Sequence, residues 1–383
     1  MNMKDDKMKY KVFSIILILF LFGFISIILE IGPRLFFQGS GLTEIPTPSK
    51  IDPYKANPYI INFRPNIYSH IPLAKYTQSR ADYAVDYTIN SFGFRAPEYN
   101  LKSDPSKKRI VFVGDSLVEG HGSEIPDTIP AKLEQELGTK FEVLSCGMQG
   151  ASPIYYAFNL ERYLQFKPDY LIIGLYDNDF YEDRFREANY DNAPYLENPN
   201  FLVKNSYYPW LFKSRFVQML YSLYYSKKKQ KSELFQIMKK NQKEFTMFSE
   251  DKEQRELILS GSYKFTAKYR EKVWNMSVPY LEYIIRETKA RNIPVYFVSL
   301  SFQSSDPNFK KDMAELAAKY LEFETKWASE RSLPFFAVNE YAKEYFRKNP
   351  NGKLHIVDDG HPTKEAYASF AKEIAEWIRP QLK

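Results

Sequence analysis

Five short segments, almost continuously apolar, alternate with helical stretches in the C-terminal part of the chain, and this alternation constrains the fold most. The segments are RIVFV (109–113), FEVLS (141–145), YLIIG (170–174), PVYFVSL (294–300) and PFFAV (334–338). Strands without a polar face are buried on both sides, as in a parallel sheet covered by helices. The pattern therefore predicts a doubly wound α/β domain over residues 109–383, with a helix after Thr128 and a last helix after Thr363.

An apolar segment near the N-terminus predicts a membrane anchor. Residues 12–29, VFSIILILFLFGFISIIL, carry no charge and are long enough to cross a bilayer as a helix. Lysines precede the segment, which predicts that residues 1–11 are cytoplasmic and that the rest of the chain lies outside the cell membrane. A cleaved signal peptide and a buried core helix are the alternatives. The first lacks a small-residue cleavage site, and the second would have a polar face.

Two further regions interrupt the α/β pattern. Residues 32–108, rich in Pro, Tyr and Asn, predict an extended linker in which YTINSFGFRAPEY (87–99) forms a short hairpin or edge strand. Residues 180–265 predict a helical insertion between the third and fourth strands of the domain. A helical cap on the domain is one interpretation. A lid or a membrane-surface contact through the lysines at 227–229 and 231 is the other.

Composition and charge exclude several classes of function. The net charge of +6 is small for 383 residues, and the basic residues are not grouped with stacking aromatics, so a nucleic-acid partner is not expected. The single cysteine, Cys146, cannot form an intramolecular disulfide and is expected to be a small buried side chain. No cluster of His, Cys and carboxylates has ligand spacing, so neither a metal nor another cofactor is expected. The oligomeric state is left open.

Polar residues follow the predicted strands at their carboxyl ends, where ligands of parallel sheets bind. Ser116 follows the first strand, Gly150 the second and Asn178 the third, whereas Asp358 and His361 precede the last helix. His361 could remove the proton of the Ser116 hydroxyl, and Asp358 could orient the imidazole ring. Backbone N–H groups of Ser116 and Gly150 and the Asn178 amide could stabilise an oxyanion. Each residue alone has a plain structural role, such as a cap or a turn, but their joint occurrence predicts an acyl-transfer site.

The blocks GDS, the glycine after the second strand, ND and DxxH resemble those of SGNH (GDSL-like) hydrolases in order and spacing. The resemblance implies a flavodoxin-like three-layer α/β/α fold. It also implies that Ser116 is the nucleophile, that Gly150 and Asn178 are oxyanion donors, and that Asp358 and His361 complete the triad. Ser145 stands where the family commonly has Asn. The anchor and the INSFGFR segment resemble exported, membrane-attached members that act on envelope components.

Three functions fit this pattern. The first is a serine esterase that hydrolyses acyl esters, acetyl esters among them, of envelope carbohydrate or lipid through an acyl-serine intermediate. An O-acyltransferase that uses the same acyl-serine is the second. A non-catalytic envelope-binding protein on this fold is the third, and the complete set of Ser, Gly, Asn, Asp and His disfavours it.

Overall fold

A computed structural model describes residues 70, 73–180, 232–250, 266–357 and 359–382, together with residues 21, 23–25, 28 and 31. The chain clusters into two compact units. The first unit comprises Met1–Ile45, Asn62–Asn66 and Asn192–Ser232. The second unit contains the remaining residues, among them all the strands and helices that are numbered below.

The predicted membrane anchor lies mostly outside the described residues. Its described positions are helical, and the apolar side chains there are exposed, including Leu21, Phe24, Ile25 and Ile28. A search of the described helices finds no span of sufficient length and apolarity to cross a bilayer. The anchor, the cytoplasmic N-terminus and the outward-facing domain therefore stay predictions.

The main sheet has five parallel strands: β3 (Lys108–Gly114), β4 (Phe141–Gly147), β5 (Tyr170–Leu175), β6 (Val295–Ser299) and β7 (Phe335–Ala337). Their order across the sheet is β4-β3-β5-β6-β7, with β3 paired to both β4 and β5. This order confirms the predicted parallel sheet. It also places the point where the strand order reverses between β3 and β5, where an open α/β sheet forms a crevice at its carboxyl edge.

Helices cover both faces of the sheet. In chain order they are α1 (Ser116–Glu119), α2 (Ile129–Leu137), α3 (Pro153–Phe158), α4 (Leu160–Leu164), α5 (Glu233–Glu250), α6 (Ala267–Lys289), α7 (Lys311–Glu330), α8 (Asn339–Lys348) and α9 (Lys364–Ile378). On one face Val298 packs in the core with Phe370 and Ile374 of α9. On the other face the Phe297 ring meets the Trp327 ring of α7 edge to face at 5.0 Å. Successive residues of β6 thus enter opposite layers, as a strand buried on both sides requires.

A small antiparallel hairpin precedes the main sheet. It consists of β1 (Lys75–Ser79) and β2 (Ala84–Thr88), and a bridge between Ile89 and Arg95 follows it. The described part of the segment that was predicted as an extended linker is therefore folded and partly buried. Arg95 is 2 % exposed because its guanidinium donates to the carbonyl oxygens of Gly120 at 2.9 Å and Ser123 at 2.5 Å.

The predicted helical insertion is described in part. Helix α5 packs on α6, and the Asn241 amide donates to the Met276 carbonyl oxygen at 2.8 Å. This contact accords with a helical cap on the domain. The rest of the insertion, including the lysines that could form a lid or membrane contact, lies outside the described residues.

Candidate active site

The nucleophile candidate, Ser116, lies in the turn that joins β3 to α1. Asp115 is the N-cap of α1, and its Oδ1 accepts a hydrogen bond from the Leu117 N–H at 2.9 Å. Gly114 ends β3 beside this helix, and a Cβ there would lie 2.2 Å from Val118 Cγ2. The close packing of α1 on the strand needs a glycine before the serine, and it holds Ser116 at the carboxyl edge of the sheet.

His361 meets Ser116 across 245 positions of sequence. The distance from His361 Nε2 to Ser116 Oγ is 2.9 Å, within hydrogen-bond range, and the hydroxyl can turn its proton to Nε2 from Asp115 Oδ2, which lies 3.2 Å away. The other ring nitrogen, Nδ1, bonds Oδ1 of Asp359. Serine, histidine and carboxylate therefore form one chain of hydrogen bonds, with the geometry that a serine nucleophile and its general base require.

The carboxylate of this chain differs from the predicted one. Sequence spacing assigned the role to Asp358, which lies outside the described residues, and in the structure Asp359 occupies the position on His361 Nδ1. The reason is the turn before the histidine. The N–H groups of Asp359 and Gly360 both donate to the Ile356 carbonyl oxygen, at 3.2 and 2.8 Å, and Gly360 has φ +83°. This tight turn brings the carboxylate of Asp359 to the Nδ1 atom of His361.

Asp359 is held in its ionised form. Burial alone would raise its pKa, but the neighbouring His121, with Nε2 3.6 Å from Oδ2, and the hydrogen bond to His361 outweigh burial and bring the pKa of the Asp359 carboxyl well below its usual range. Burial lowers the pKa of His121, and the neighbouring His361 adds to this effect, although Asp359 opposes it. A neutral His121 and an ionised Asp359 therefore surround His361 near neutral pH. This charge state suits an imidazole that must accept a proton and be stabilised as imidazolium.

The two predicted oxyanion donors lie at the ends of the strands that flank β3. Gly150 follows β4 in a turn closed by the Ala151 N–H and the Met148 carbonyl oxygen at 2.9 Å, and its φ of +65° suits glycine. Asn178 is partly exposed in the helical turn at 177–180, directly after β5. The fold thus brings Ser116, Gly150 and Asn178 to the carboxyl ends of three adjacent strands. Their roles as donors stay predictions.

A buried carboxylate joins the nucleophile helix to the loop that contains Gly150. Oε2 of Glu119 accepts the Gln149 N–H at 2.6 Å and is 3.1 Å from His70 Nε2. Burial opposes ionisation of Glu119, but His70 and the Gln149 N–H lower its pKa. Gly147 permits this contact, since a Cβ there would be 2.2 Å from the Glu119 nitrogen. Sequence reasoning missed Glu119, although GDSLVEG contains it.

Two further side chains surround the triad. The Tyr83 hydroxyl donates to Asp359 Oδ2 at 3.0 Å and lies 2.7 Å from His121 Nε2. The His121 ring lies 4.1 Å from the His361 ring, at an interplanar angle of 30°. His121 follows the nucleophile turn in sequence, which places it near Ser116. No signal in the sequence indicated Tyr83, which lies outside the α/β pattern.

A metal ion has one candidate site among the described residues. One ligand atom each from His121, Asp359 and His361 lie within 4.8 Å of one another. Both ring nitrogens of His361, however, already have hydrogen-bond partners, with Nε2 on Ser116 Oγ and Nδ1 on Asp359 Oδ1. The arrangement fits a hydrogen-bonded triad better than a zinc site.

Ester hydrolysis is therefore expected to survive metal removal. Dialysis against EDTA, followed by assay with p-nitrophenyl acetate, should leave kcat within about twofold of the untreated protein, since the nucleophile has its own base. Loss of activity on chelation, with recovery on adding zinc or manganese, would contradict the serine mechanism.

Comparisons with known proteins give similarity at the level of the fold. No family model matches the sequence, and no curated protein matches it. Among solved structures, the chain is similar to a protein assigned to the G-D-S-L lipolytic family from Desulfitobacterium hafniense (13% identity, 72% of this chain and 100% of that one, TM-score 0.35). It is also similar to the acetyl xylan esterase AlAXEase (11%, 72% and 100%, 0.38) and to a carbohydrate acetylesterase family member from Sinorhizobium meliloti (12%, 72% and 99%, 0.36). At these values the catalytic assignment depends on the side-chain geometry of the chain itself.

Proposed function

We propose that this chain is a serine ester hydrolase of the SGNH class, with Ser116, His361 and Asp359 as its triad. One observation supports the proposal above all others: the 2.9 Å hydrogen bond between Ser116 Oγ and His361 Nε2, with a carboxylate on the opposite ring nitrogen. A helix cap or a loop histidine would explain either residue alone. Neither would explain an imidazole placed between a hydroxyl and an ionised carboxylate.

The geometry supports a two-step acyl transfer. Ser116 Oγ attacks the ester carbonyl carbon while its proton passes to His361 Nε2. The tetrahedral intermediate collapses to an acyl-serine, and His361 returns the proton to the departing alcohol. Water then attacks the acyl-serine with His361 again as base, which releases the carboxylic acid and restores the serine. Asp359 keeps its negative charge and stabilises the imidazolium in both steps.

A fluorophosphonate probe tests this proposal directly. The protein should become labelled, and mass spectrometry of its peptides should place the label on Ser116. A panel of p-nitrophenyl esters from acetyl to longer chains would then define the acyl group. Acyl release that is the same with and without an added glycan indicates a hydrolase, whereas acyl transfer to the glycan indicates the alternative O-acyltransferase.

We also propose that the domain acts outside the cytoplasmic membrane on ester-bearing envelope carbohydrate or lipid. The charge-free segment 12–29 and the lysines before it support this orientation. Lys102 is exposed in the described segment before the domain and is suited to an engineered cysteine.

The expected result is that Lys102→Cys reacts with a membrane-impermeant maleimide in intact spheroplasts. The unaltered protein is the matched control, because its Cys146 is buried. Protection of the new cysteine until the membrane is permeabilised would show the opposite orientation.

A further inference from the structure

The hairpin before the main sheet reaches the triad through one side chain. Tyr83 lies in the turn between β1 and β2, which is closed by the Arg80 N–H and the Tyr83 carbonyl oxygen at 2.8 Å. Its hydroxyl donates to Asp359 Oδ2 at 3.0 Å, across 276 positions of sequence. The carboxylate therefore has a hydrogen bond at each oxygen, with His361 on Oδ1 and Tyr83 on Oδ2.

The direction of each hydrogen bond near Tyr83 follows from its single proton. If the Tyr83 O–H donates to Asp359, the Tyr83 oxygen must be the acceptor in its contact with His121 Nε2, 2.7 Å away. His121 must then be the tautomer with a proton on Nε2. Nδ1 of this tautomer is free of a proton and faces the Tyr87 hydroxyl at 3.5 Å. His121, Tyr83 and Asp359 form a directed chain that ends on the carboxylate of the triad.

We propose that Tyr83 and His121 are positioning residues of the triad, which fix the Asp359 carboxylate at its second oxygen and support the His361 ring from one face. This inference rests on the proposed serine mechanism. A carboxylate held only at Oδ1 can rotate about its Cβ–Cγ bond, whereas one held at both oxygens keeps Oδ1 in the imidazole plane. The hydrogen bond from Tyr83 also draws negative charge away from Oδ1. Asp359 therefore stabilises the His361 imidazolium less than it would without Tyr83.

Several charged and titratable groups face this chain and contribute to its pH dependence. Burial raises the pKa of the Tyr83 hydroxyl and the charge of Asp359 adds to this, so Tyr83 stays a proton donor across the working range, although Arg80 opposes the shift. The groups that face these residues from the neighbouring elements are Arg80 on Tyr83, Glu119 on His121, and Asp115 on Ser116 Oγ at 3.2 Å.

Two changes at Tyr83 should move the pH profile in opposite directions. In Tyr83→Phe the donor is lost, Asp359 favours the imidazolium more strongly, and the acid limb of kcat/KM should move to higher pH. Replacement of Tyr83 alone by 3-fluorotyrosine gives a stronger donor of nearly the same shape, and the limb should move to lower pH. Tyr83→Phe should also lower kcat about tenfold, as loss of one hydrogen bond to a charged group does, with KM for p-nitrophenyl acetate within about twofold because Tyr83 acts through Asp359.

Tyr76→Phe is the matched control. Tyr76 belongs to the same hairpin and stacks on Tyr87 at 5.0 Å, but its hydroxyl faces His70 rather than the triad. Its pH profile should overlay that of the unaltered protein. Opposite shifts of the acid limb of kcat/KM for the two Tyr83 changes support the inference. If Tyr83→Phe does not fold, the direction of the shift in the 3-fluorotyrosine protein alone is the test. Unshifted profiles, or shifts in the same direction, would overturn the positioning role of Tyr83. The serine mechanism would still stand in that case, provided that Ser116→Ala is inactive. An active Ser116→Ala would instead overturn the mechanism itself.

Discussion

Ser116→Ala is expected to reduce ester hydrolysis by about 10⁴- to 10⁶-fold, the range found when a serine nucleophile is removed. The hydroxyl that accepts the acyl group is lost, so no acyl-serine can form and only binding and oxyanion stabilisation remain. The variant should also lose fluorophosphonate labelling. Both readouts apply to the same protein sample, after a thermal melt shows a midpoint close to that of the unaltered chain.

Two companion variants make this result specific. Ser123→Ala removes another buried hydroxyl, from the loop that follows α1, and should keep near-normal activity and labelling. His361→Ala should be nearly as severe as Ser116→Ala, because an unactivated hydroxyl is a weak nucleophile. The double variant Ser116→Ala/His361→Ala should be little worse than either single one, since both act in one step. A folded Ser116→Ala that still hydrolyses esters and still labels would place the nucleophile elsewhere.

The core of the fold could be predicted from sequence because its signal is local. Each strand of the main sheet is a run of apolar residues, and burial of both faces explains why no polar alternation interrupts it. The nucleophile and base could be predicted for a related reason. Ser116 lies two residues after the end of β3, and His361 lies two residues before Thr363, the cap of α9, so knowing the elements was enough to bring both to one edge.

The remaining part of the site depends on contacts that the sequence does not encode locally. Spacing before His361 cannot distinguish two adjacent aspartates, because the choice depends on a turn in which Ile356 accepts two backbone N–H groups. The hairpin was predicted as part of a linker because residues 32–108 are rich in Pro, Tyr and Asn, and its contact with the main domain depends on the buried Arg95. That arginine is satisfied by loop carbonyl oxygens of the main domain, and such a long-range contact leaves no periodicity in sequence.

Substitution of each aspartate in turn tests whether Asp358 or Asp359 is the carboxylate of the triad, and we expect a large effect at only one of them. Asp359→Asn should lower kcat by about 10³- to 10⁴-fold, as the corresponding change does in other serine triads, whereas Asp358→Asn should stay within about threefold of the unaltered chain. The structure explains the expected severity. Tyr83 donates a proton to the second oxygen of residue 359, so an amide there should turn its oxygen toward Tyr83 and its NH₂ toward His361.

An NH₂ group facing Nδ1 forces the imidazole proton onto Nε2, and the ring can then no longer accept a proton from Ser116. Removing Tyr83 frees the amide to turn over and restore the productive tautomer. Tyr83→Phe should therefore be harmful in the unaltered chain but neutral or beneficial in Asp359→Asn. This double-mutant cycle comprises the unaltered chain, Tyr83→Phe, Asp359→Asn and the double variant. The measurement is kcat for p-nitrophenyl acetate in each protein, after each is shown to be folded. Additive losses would mean that Tyr83 does not set the orientation of residue 359, and a severe Asp358→Asn beside a mild Asp359→Asn would return the triad role to Asp358.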